Sequence, residues 1–239
     1  MSQIIEKACH EAEIYKKANL DGIMLENMHD LPYLPPKDVS PEIIAAMAVV
    51  ATKVKEVFRK KPVGIQILAG ANESSLAVAK ASGLDFIRAE GFVFSHIADE
   101  GLMNSCAGSL MRYRKKINAE DILVFTDIKK KHSAHMITSD IDITEMAKAA
   151  QFFLSDGVIV TGSATGAITD EKEVQAVLQT VDIPVLVGSG ITLDNVSRFL
   201  NANGLIIGSY FKEDGNWAKD LNPEKVTAFM NKVEQQRNN

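Results

Sequence analysis

Short apolar runs alternate along this chain with longer segments in which apolar residues recur every three or four positions. The runs show no polar alternation, which is typical of strands buried on both faces of a parallel sheet. The longer segments have the period of amphipathic helices. We predict seven strands, at residues 22–25, 63–68, 86–89, 122–128, 158–160, 185–187 and 205–207.

A helix is predicted after each strand, and one more precedes the first. Ser40 and Pro41 have the residue types preferred at an N-cap and a first helical position, and Thr192 is a second candidate N-cap. The predicted helices cover residues 2–18, a long segment that begins at Pro41, and residues 72–82, 105–117, 143–153, 171–179, 193–201 and 223–234. This alternation predicts the α/β class, with right-handed crossovers in one domain, residues 1–239.

An open doubly wound sheet and a closed barrel both fit that alternation. The length of 239 residues, the polar strand ends and the lack of a dinucleotide-binding fingerprint favour a TIM (β/α)8 barrel. Such a barrel needs eight strands, so we expect the first strand to be missing from this chain, which leaves seven βα units and a leading helix. The strands at 22–25 and 205–207 should then be open edges. Open edges invite association, so we expect a homo-oligomer that is marginally stable alone.

The last two predicted strands both run into a Gly-Ser turn. In barrels of this type, the loops after these strands commonly hold a phosphate. Glycine has no Cβ, so an anion can come close enough for the backbone N–H groups to donate hydrogen bonds to it. The alternative is that these glycines serve tight turns only. The predicted phosphate-binding residues are Gly188, Ser189, Gly190, Gly208 and Ser209, with Lys212 close behind them.

Polar residues also end the other strands. Side chains alternate along a strand, so residues of one parity share the inner face. The predicted inner set is Glu26, Gln66, Arg88, Glu90, Asp127 and Lys129, with Thr161 at the end of strand 158–160. We expect Glu26, Arg88, Glu90, Asp127 and Lys129 to be catalytic, with a carboxylate in acid–base chemistry. Alternatively, Arg88–Glu90 and Asp127–Lys129 pair with each other and only seal the barrel.

The loop after strand 122–128 carries three lysines and two histidines. Lys129 would suit a Schiff base if burial suppressed its charge, whereas Lys130 and Lys131 are expected to be solvated. His132 and His135 could hold a divalent cation with Asp127 or Glu90, or simply belong to a solvated loop. No cofactor is predicted, a divalent metal stays open, and His132 and Asn27 are expected to contact substrate.

Composition narrows the classes of partner. The net charge is −5 and no basic stripe with interleaved aromatic residues occurs, which disfavours nucleic acid. The two cysteines suit a reducing compartment. No apolar run reaches membrane-spanning length and no signal peptide is evident, so we expect no membrane insertion. The expected location is the cytoplasm, or an organellar matrix if an upstream segment is missing.

Six segments at strand ends have the sequence and order of one known family: DGIMLENMHDLPY, FIRAEGFV, FTDIKKKHSAH, DGVIVTGSATG, PVLVGSGIT and NGLIIGSYFK. They resemble the BtpA/SgcQ family over nearly the whole chain. The resemblance implies a TIM barrel similar to ribulose-phosphate-binding barrels, and family members normally begin with one more strand. Members in photosynthetic bacteria are linked with photosystem I biogenesis, and others lie among sugar-metabolism genes. The resemblance implies no established reaction.

Two functions of different classes follow. The first is a lyase, isomerase or hydrolase acting on a small phosphorylated metabolite, a sugar phosphate or a nucleotide-like compound. The second is a non-catalytic assembly or stability factor that keeps or has lost an ancestral phosphate site. An anion bound at the glycine turns would favour the first, and an exposed apolar patch over the barrel mouth would favour the second.

Overall fold

A computed structural model describes residues 1–162 and 168–237. Within these residues, seven parallel strands form one sheet, and their order in the sheet is their order in the chain. They are β1 (Ile23–Glu26), β2 (Val63–Gln66), β3 (Phe86–Ala89), β6 (Leu123–Ile128), β8 (Gly157–Thr161), β9 (Val185–Gly188) and β10 (Gly204–Ile206). The seven predicted strands are therefore all present.

Helices cover the outer face of the sheet. They are α1 (Ser2–Lys17), α2 (Pro41–Val57), α3 (Asn72–Ser82), α4 (Ala107–Lys116), α5 (Ile143–Phe152), α6 (Glu171–Leu178) and α7 (Pro223–Arg237). The outward side chains of the central strands, such as Ile65, Ile87 and Val124, are fully buried beneath them. No helix among the described residues is long and apolar enough to cross a membrane.

The inner face of the sheet is closed at its floor by two aromatic rings. Phe86 and Phe125 pack edge to face, with ring centroids 5.6 Å apart. A Cβ at Gly64 would lie 2.1 Å from the Phe86 ring, and one at Gly157 would lie 2.6 Å from Phe125. The glycines on the flanking strands therefore leave the space that these rings occupy.

The strands β1 and β10 are the two edges of the sheet, and the described residues add no partner to either. The outer ring of helices nevertheless joins around this opening, since α1 contacts α7. Lys212 bonds Glu11 on α1 at 2.8 Å, and Arg237 bonds Asp21 at 2.6 Å. Ala12 is the one residue of α1 that is fully buried, whereas Ile5, Ala8 and Tyr15 pack half-buried against the core.

The helix predicted at 193–201 is reduced to a single 3-10 turn, Val196–Arg198. The Asn195 side chain explains the difference. Its Oδ1 accepts from the Thr192 N–H at 2.8 Å, and its Nδ2 donates to the Gly190 carbonyl at 2.9 Å. Such side-chain bonds compete with helical ones, so Thr192 does not act as the predicted N-cap.

A second, antiparallel sheet was not predicted. Its strands are β4 (His96–Ala98), β5 (Gly101–Met103) and β7 (Ser133–Ala134), with β4 in the centre. Two or three residues are too few to give a periodic signal, and β7 is distant from β4 in the chain. We call this sheet the flap, because it carries the segment after β6 across the ends of β3 and β6.

Candidate functional site

Three charged residues meet where β1, β3 and β6 end. Arg88 donates from Nε and Nη2 to the two carboxylate oxygens of Asp127, both at 2.9 Å, and from Nη1 to Glu26 Oε1 at 3.2 Å. The side chain of Arg88 is 8% exposed and that of Asp127 is 0% exposed. Burial alone would lower the pKa of Arg88, but the carboxylates of Asp127 and Glu26 raise it.

The alternative pairing within strands is wrong, because Arg88 bonds Asp127 and Glu26 across strands. Residues two apart on one strand are separated by more than 6 Å, whereas adjacent strands lie about 4.8 Å apart. Asp127 on the adjacent strand β6 is therefore within reach of Arg88, and the long arginine side chain also extends across β2 to Glu26 on β1. The inner-face assignment placed Glu26, Arg88 and Asp127 together, and the structure brings these three into contact.

A second charged cluster lies beside the first. Lys130 Nζ is 3.4 Å from Glu90 Oε2 and 3.9 Å from Glu100 Oε2, and all three side chains are below 10% exposed. Burial raises the pKa of Glu90, and Lys130 opposes part of that effect. The expectation of a solvated Lys130 is wrong, because the flap folds its segment inward.

Two histidines belong to the flap side of this cluster. His96 is buried and packs against His135, with ring centroids 5.4 Å apart. Burial, then Lys130, lowers the pKa of His96 to about 4. A cavity of about 10 Å³ is lined by both rings and by Asp127 and Lys130, which is room for about one water molecule.

The three consecutive lysines have different surroundings. Lys129 has a left-handed backbone, φ 47°, so strand alternation no longer fixes its direction. Hydrogen bonds from Thr144 and Glu145 lower the pKa of Asp142, the N-cap of α5, and the charge of Lys129 adds a smaller effect in the same direction. Lys131 is half-buried, and burial, then Arg88, lowers its pKa. Lys131 was expected to be solvated; that expectation is wrong.

The hypothetical cation site does not assemble. His132 is exposed, and His135 Nε2 lies 2.9 Å from the Lys130 carbonyl oxygen. The described part of the chain contains no group of three or more His, Cys, Asp or Glu side chains arranged to hold a metal ion.

Several buried polar atoms around the mouth lack a hydrogen-bond partner among the described residues. They are Gln66 Oε1, His96 Nε2 and Thr161 Oγ1. Glu90 Oε2 and Glu100 Oε2 also lack a hydrogen bond, but both form ion pairs with the ammonium of Lys130. Because buried polar groups are normally satisfied, the atoms of Gln66, His96 and Thr161 indicate a place for a polar ligand or water. Asn27 instead supports the backbone, since its Oδ1 accepts from the Leu68 N–H at 2.8 Å.

The two glycine turns lie at the ends of β9 and β10. Ser189 and Gly190 have φ values of 76° and 67°. Thr169 Oγ1 donates to the Gly188 carbonyl at 2.7 Å, and Asn195 holds the Gly190 carbonyl. In the described residues, no partner is seen for the N–H groups of Gly190, Gly208 and Ser209.

Two predicted features lie elsewhere. Lys212 is not at these turns, because its ammonium bonds both carboxylate oxygens of Glu11. In the segment DGVIVTGSATG, residues 163–166 are outside the described residues.

Comparisons with known proteins cover almost the entire chain. The model of the BtpA family matches residues 1–235. The chain is 52% identical to the uncharacterised mitochondrial protein F13E9.13 of Caenorhabditis elegans, over 98% of this chain and 85% of that protein. It is 31% identical to the photosystem I biogenesis protein BtpA of Synechocystis, over 96% of this chain and 79% of that protein.

Solved structures with a similar fold are TIM-barrel enzymes. Phosphoribosyl anthranilate isomerase from Thermus thermophilus has a TM-score of 0.61 at 14% identity, covering 96% of this chain and 95% of its own. Orotidine 5'-phosphate decarboxylase from Pyrococcus horikoshii has a TM-score of 0.63 at 13% identity, covering 96% and 94%. At these identities the likeness establishes the fold alone.

Proposed function

The chain belongs to the BtpA family, and we propose that it is an enzyme acting on a small phosphorylated metabolite, a sugar phosphate or a nucleotide-like compound. The observation that carries the proposal is the pair of glycine turns after β9 and β10. The N–H groups of Gly190, Gly208 and Ser209 lack partners among the described residues. Paired turns of this kind accept a phosphate by backbone donors.

The reacting end of the substrate lies over the charged residues. Of the carboxylates of Glu26, Glu90 and Asp127, that of Glu26 is the most exposed, so it is our candidate proton acceptor. Glu90 is buried, and its raised pKa makes it the candidate proton donor. Arg88 and Asp127 hold Glu26 in place through the guanidinium. Gln66 and Thr161 offer polar atoms that a hydroxylated substrate can satisfy.

We further propose that the gap between β1 and β10 is the position of an eighth strand, as the family resemblance implies. Every residue of β1 and β10 is half-buried, whereas every residue of β2 and β8 is buried.

Unpaired strand edges also support the proposal of a homo-oligomer. A strictly monomeric chain in sedimentation velocity would contradict it. An organellar matrix is the alternative to the cytoplasm, supported by the name of the C. elegans relative and tested by cell fractionation.

One observation favours the second candidate function, a non-catalytic assembly or stability factor. The outer surface of the flap is apolar: Ile97 and Leu102 face each other on β4 and β5, and Met136 and Ile137 follow β7. All four are exposed, and such patches mark interaction surfaces. The name of the Synechocystis relative agrees with this candidate. A chain that responds to no phosphorylated compound in a thermal-shift screen would favour it over the enzyme.

The substitution Gly190→Asp tests the phosphate site. An aspartate there adds a side chain and a negative charge beside the donors, so it should abolish stabilisation by inorganic phosphate and sugar phosphates. In the parent chain, a ligand at about 100 times its Kd adds about 2.7 kcal/mol to the free energy of unfolding. Thermal unfolding with and without ligand measures this difference.

Gly83→Asp is the matched control. Gly83 has nearly the same φ, 66°, and a Cβ there would meet nothing within 4 Å. It lies at the C-terminal end of α3, away from the glycine turns. Both variants place an aspartate at nearly the same positive φ, but only Gly190→Asp should lose the ligand response. An unchanged response in Gly190→Asp would refute the phosphate site.

A further inference from the structure

Three consecutive apolar side chains project into solvent between α5 and β8. Phe152, Phe153 and Leu154 are 81%, 45% and 68% exposed. The two rings pack edge to face, with centroids 5.7 Å apart. Exposed apolar runs of this kind are unfavourable in water and mark interaction surfaces. We call these three residues the apolar knob.

The fold holds the knob on the surface. Leu154 has a left-handed backbone, φ 70°, which is unfavourable for a residue with a Cβ. Directly after it, the Asp156 N–H donates to the Val124 carbonyl at 2.9 Å, and the Val124 N–H donates to Asp156 Oδ2 at 2.7 Å. The backbone is thus fixed to β6 just behind the knob, so the exposure of the knob is a property of the fold.

A groove of about 470 Å³ opens beside the knob, between the C-terminal ends of α4 and α5. Its apolar wall contains Met111, Leu154 and Ile183, so Leu154 belongs to both the knob and the groove. A protrusion and a recess that lie side by side on one face are self-complementary. A two-fold rotation then places the knob of one copy in the groove of the other.

The charges of the groove suit a second copy of the same surface. Among the described residues that line it, Arg114 pairs with Asp156 at 3.0 Å and Lys115 pairs with Glu120. The groove is therefore neutral, although the chain carries a net charge of −5. Two neutral copies do not repel each other here, and an anionic polymer or membrane gains no attraction. Lys115 and Glu120 are 79% and 46% exposed, so each can also reach the opposite charge of the second copy.

The knob and the groove lie at the end of the sheet that is opposite to the proposed phosphate site. Glu120, Asp156 and Ile183 come before β6, β8 and β9, whereas the glycine turns and the charged cluster come after strands. A contact at this end leaves the mouth of the sheet accessible to a substrate.

We propose that the knob and the groove form a two-fold interface between two copies of this chain. The two Phe rings of one copy expose on the order of 250 Å², about a third of the roughly 800 Å² that each partner buries in a standard interface. Leu154 and the polar rim of the groove supply further area. This inference deepens the proposed homo-oligomer, but it does not depend on the open edges β1 and β10.

Sedimentation velocity of the full chain over a wide range of concentrations tests the interface. The parent chain should form a dimer. Phe152→Asp places a charge in both copies of the contact and should raise the Kd at least about thirtyfold, the effect of losing a hot-spot residue. Phe152 is 81% exposed, so the variant should keep the circular dichroism spectrum of the parent chain. Val49→Asp is the matched control, because Val49 is an exposed apolar residue on α2, 48% exposed, outside the knob and the groove. It should dimerise like the parent chain.

A crosslink tests the seating of the knob. Phe152→benzoylphenylalanine is prepared in unlabelled and isotopically labelled chains, which are mixed, irradiated and digested. Mass spectrometry should find crosslinks between labelled and unlabelled peptides, with position 152 joined to the peptide of Met111 or of Ile183. If Phe152→Asp does not fold, this crosslink decides the matter.

A monomeric parent chain, crosslinks confined to single chains, or undiminished dimerisation of Phe152→Asp would each overturn the proposal. Equal weakening in Val49→Asp would also overturn it, because the effect would not be specific to the knob. A dimer that persists in Phe152→Asp leaves association through β1 and β10 as the source of the oligomer. Phe152→Asp should keep the response to inorganic phosphate, so failure of this interface and failure of the phosphate site are seen separately.

Discussion

Removing the charge of Asp127 tests how the charged cluster is held together. In Asp127→Asn, the amide keeps the shape of the carboxylate, but one of its two polar atoms becomes a donor. That donor faces a guanidinium N–H at the position where Arg88 now makes one of its two 2.9 Å bonds. The charge of Arg88 then has only Glu26 as a bonded partner.

The expected cost follows from burial. Breaking a buried ion pair by removing one partner costs about 3–5 kcal/mol, because the other charge stays desolvated. Arg88 and Asp127 are 8% and 0% exposed, so solvent screening is small. Glu26 still compensates part of the charge, which places the expected loss near the lower end, about 3 kcal/mol. For a chain of this length, that lowers Tm by about 6–12 °C.

Urea denaturation followed by circular dichroism measures the free energy of unfolding. Glu56→Gln is the control, because the Lys53–Glu56 pair is about half exposed and should contribute less than about 1 kcal/mol. Combining Arg88→Met with Asp127→Leu should recover part of the loss, since both members of the buried pair are then removed and only the partly exposed Glu26 loses its partner. A loss below about 1 kcal/mol in Asp127→Asn would refute this reasoning. Full turnover in that variant would also remove Asp127 from the catalytic set.

Two further predictions concern the flap and the floor of the sheet. The pKa of His96 is lowered to about 4 in the fold from an ordinary 6.5, so the unfolded chain gains a proton first as pH falls through this range. The free energy of unfolding should therefore drop by about 2 kcal/mol between about pH 7 and pH 5. In urea denaturation at several pH values, the free energy of unfolding of His96→Gln should depend less steeply on pH than that of the parent chain. An equal pH dependence in both chains would contradict the burial of a neutral ring. Gly64→Ala should cost about 1–3 kcal/mol by forcing the Phe86 ring to move. Gly208→Ala should not lower the stability in this way, because a Cβ there meets nothing within 4 Å. Equal decreases in the Tm of the two variants would contradict the steric argument.

The strands and most helices could be predicted because their signals are local. A run such as Val158–Val160 is apolar at every position, and the amphipathic period of α5 spans almost three turns. The flap depends on a contact between β4 and β7, which lie more than 30 residues apart. Each of its strands is too short to have a period. The prediction of a helix at 193–201 was wrong for a related reason, because the hydrogen bonds of the Asn195 side chain replace helical ones.

The candidate site divides in the same way. Alternation placed Glu26, Arg88 and Asp127 on one face because each belongs to a regular strand. Strand alternation ends with β6 at Ile128. Because Lys129 has a left-handed backbone, alternation no longer predicts the directions of the Lys129, Lys130 and Lys131 side chains. Glu100 could not be found from the sequence at all, because it reaches Lys130 only when the flap is formed.

The flap also determines how the two candidate functions relate to each other. Alternation along β4 turns His96 inward, where it is 5% exposed, and Ile97 outward, where it is 43% exposed beside Leu102. An enzyme needs the inner face, because it separates Glu90 and Lys130 from bulk water. An assembly factor needs the outer face, because its apolar residues lie there. Both faces depend on the same few backbone hydrogen bonds, so any change that unpairs β4 affects both functions. Only a substitution confined to one side chain, at position 96 or at position 97, can separate them.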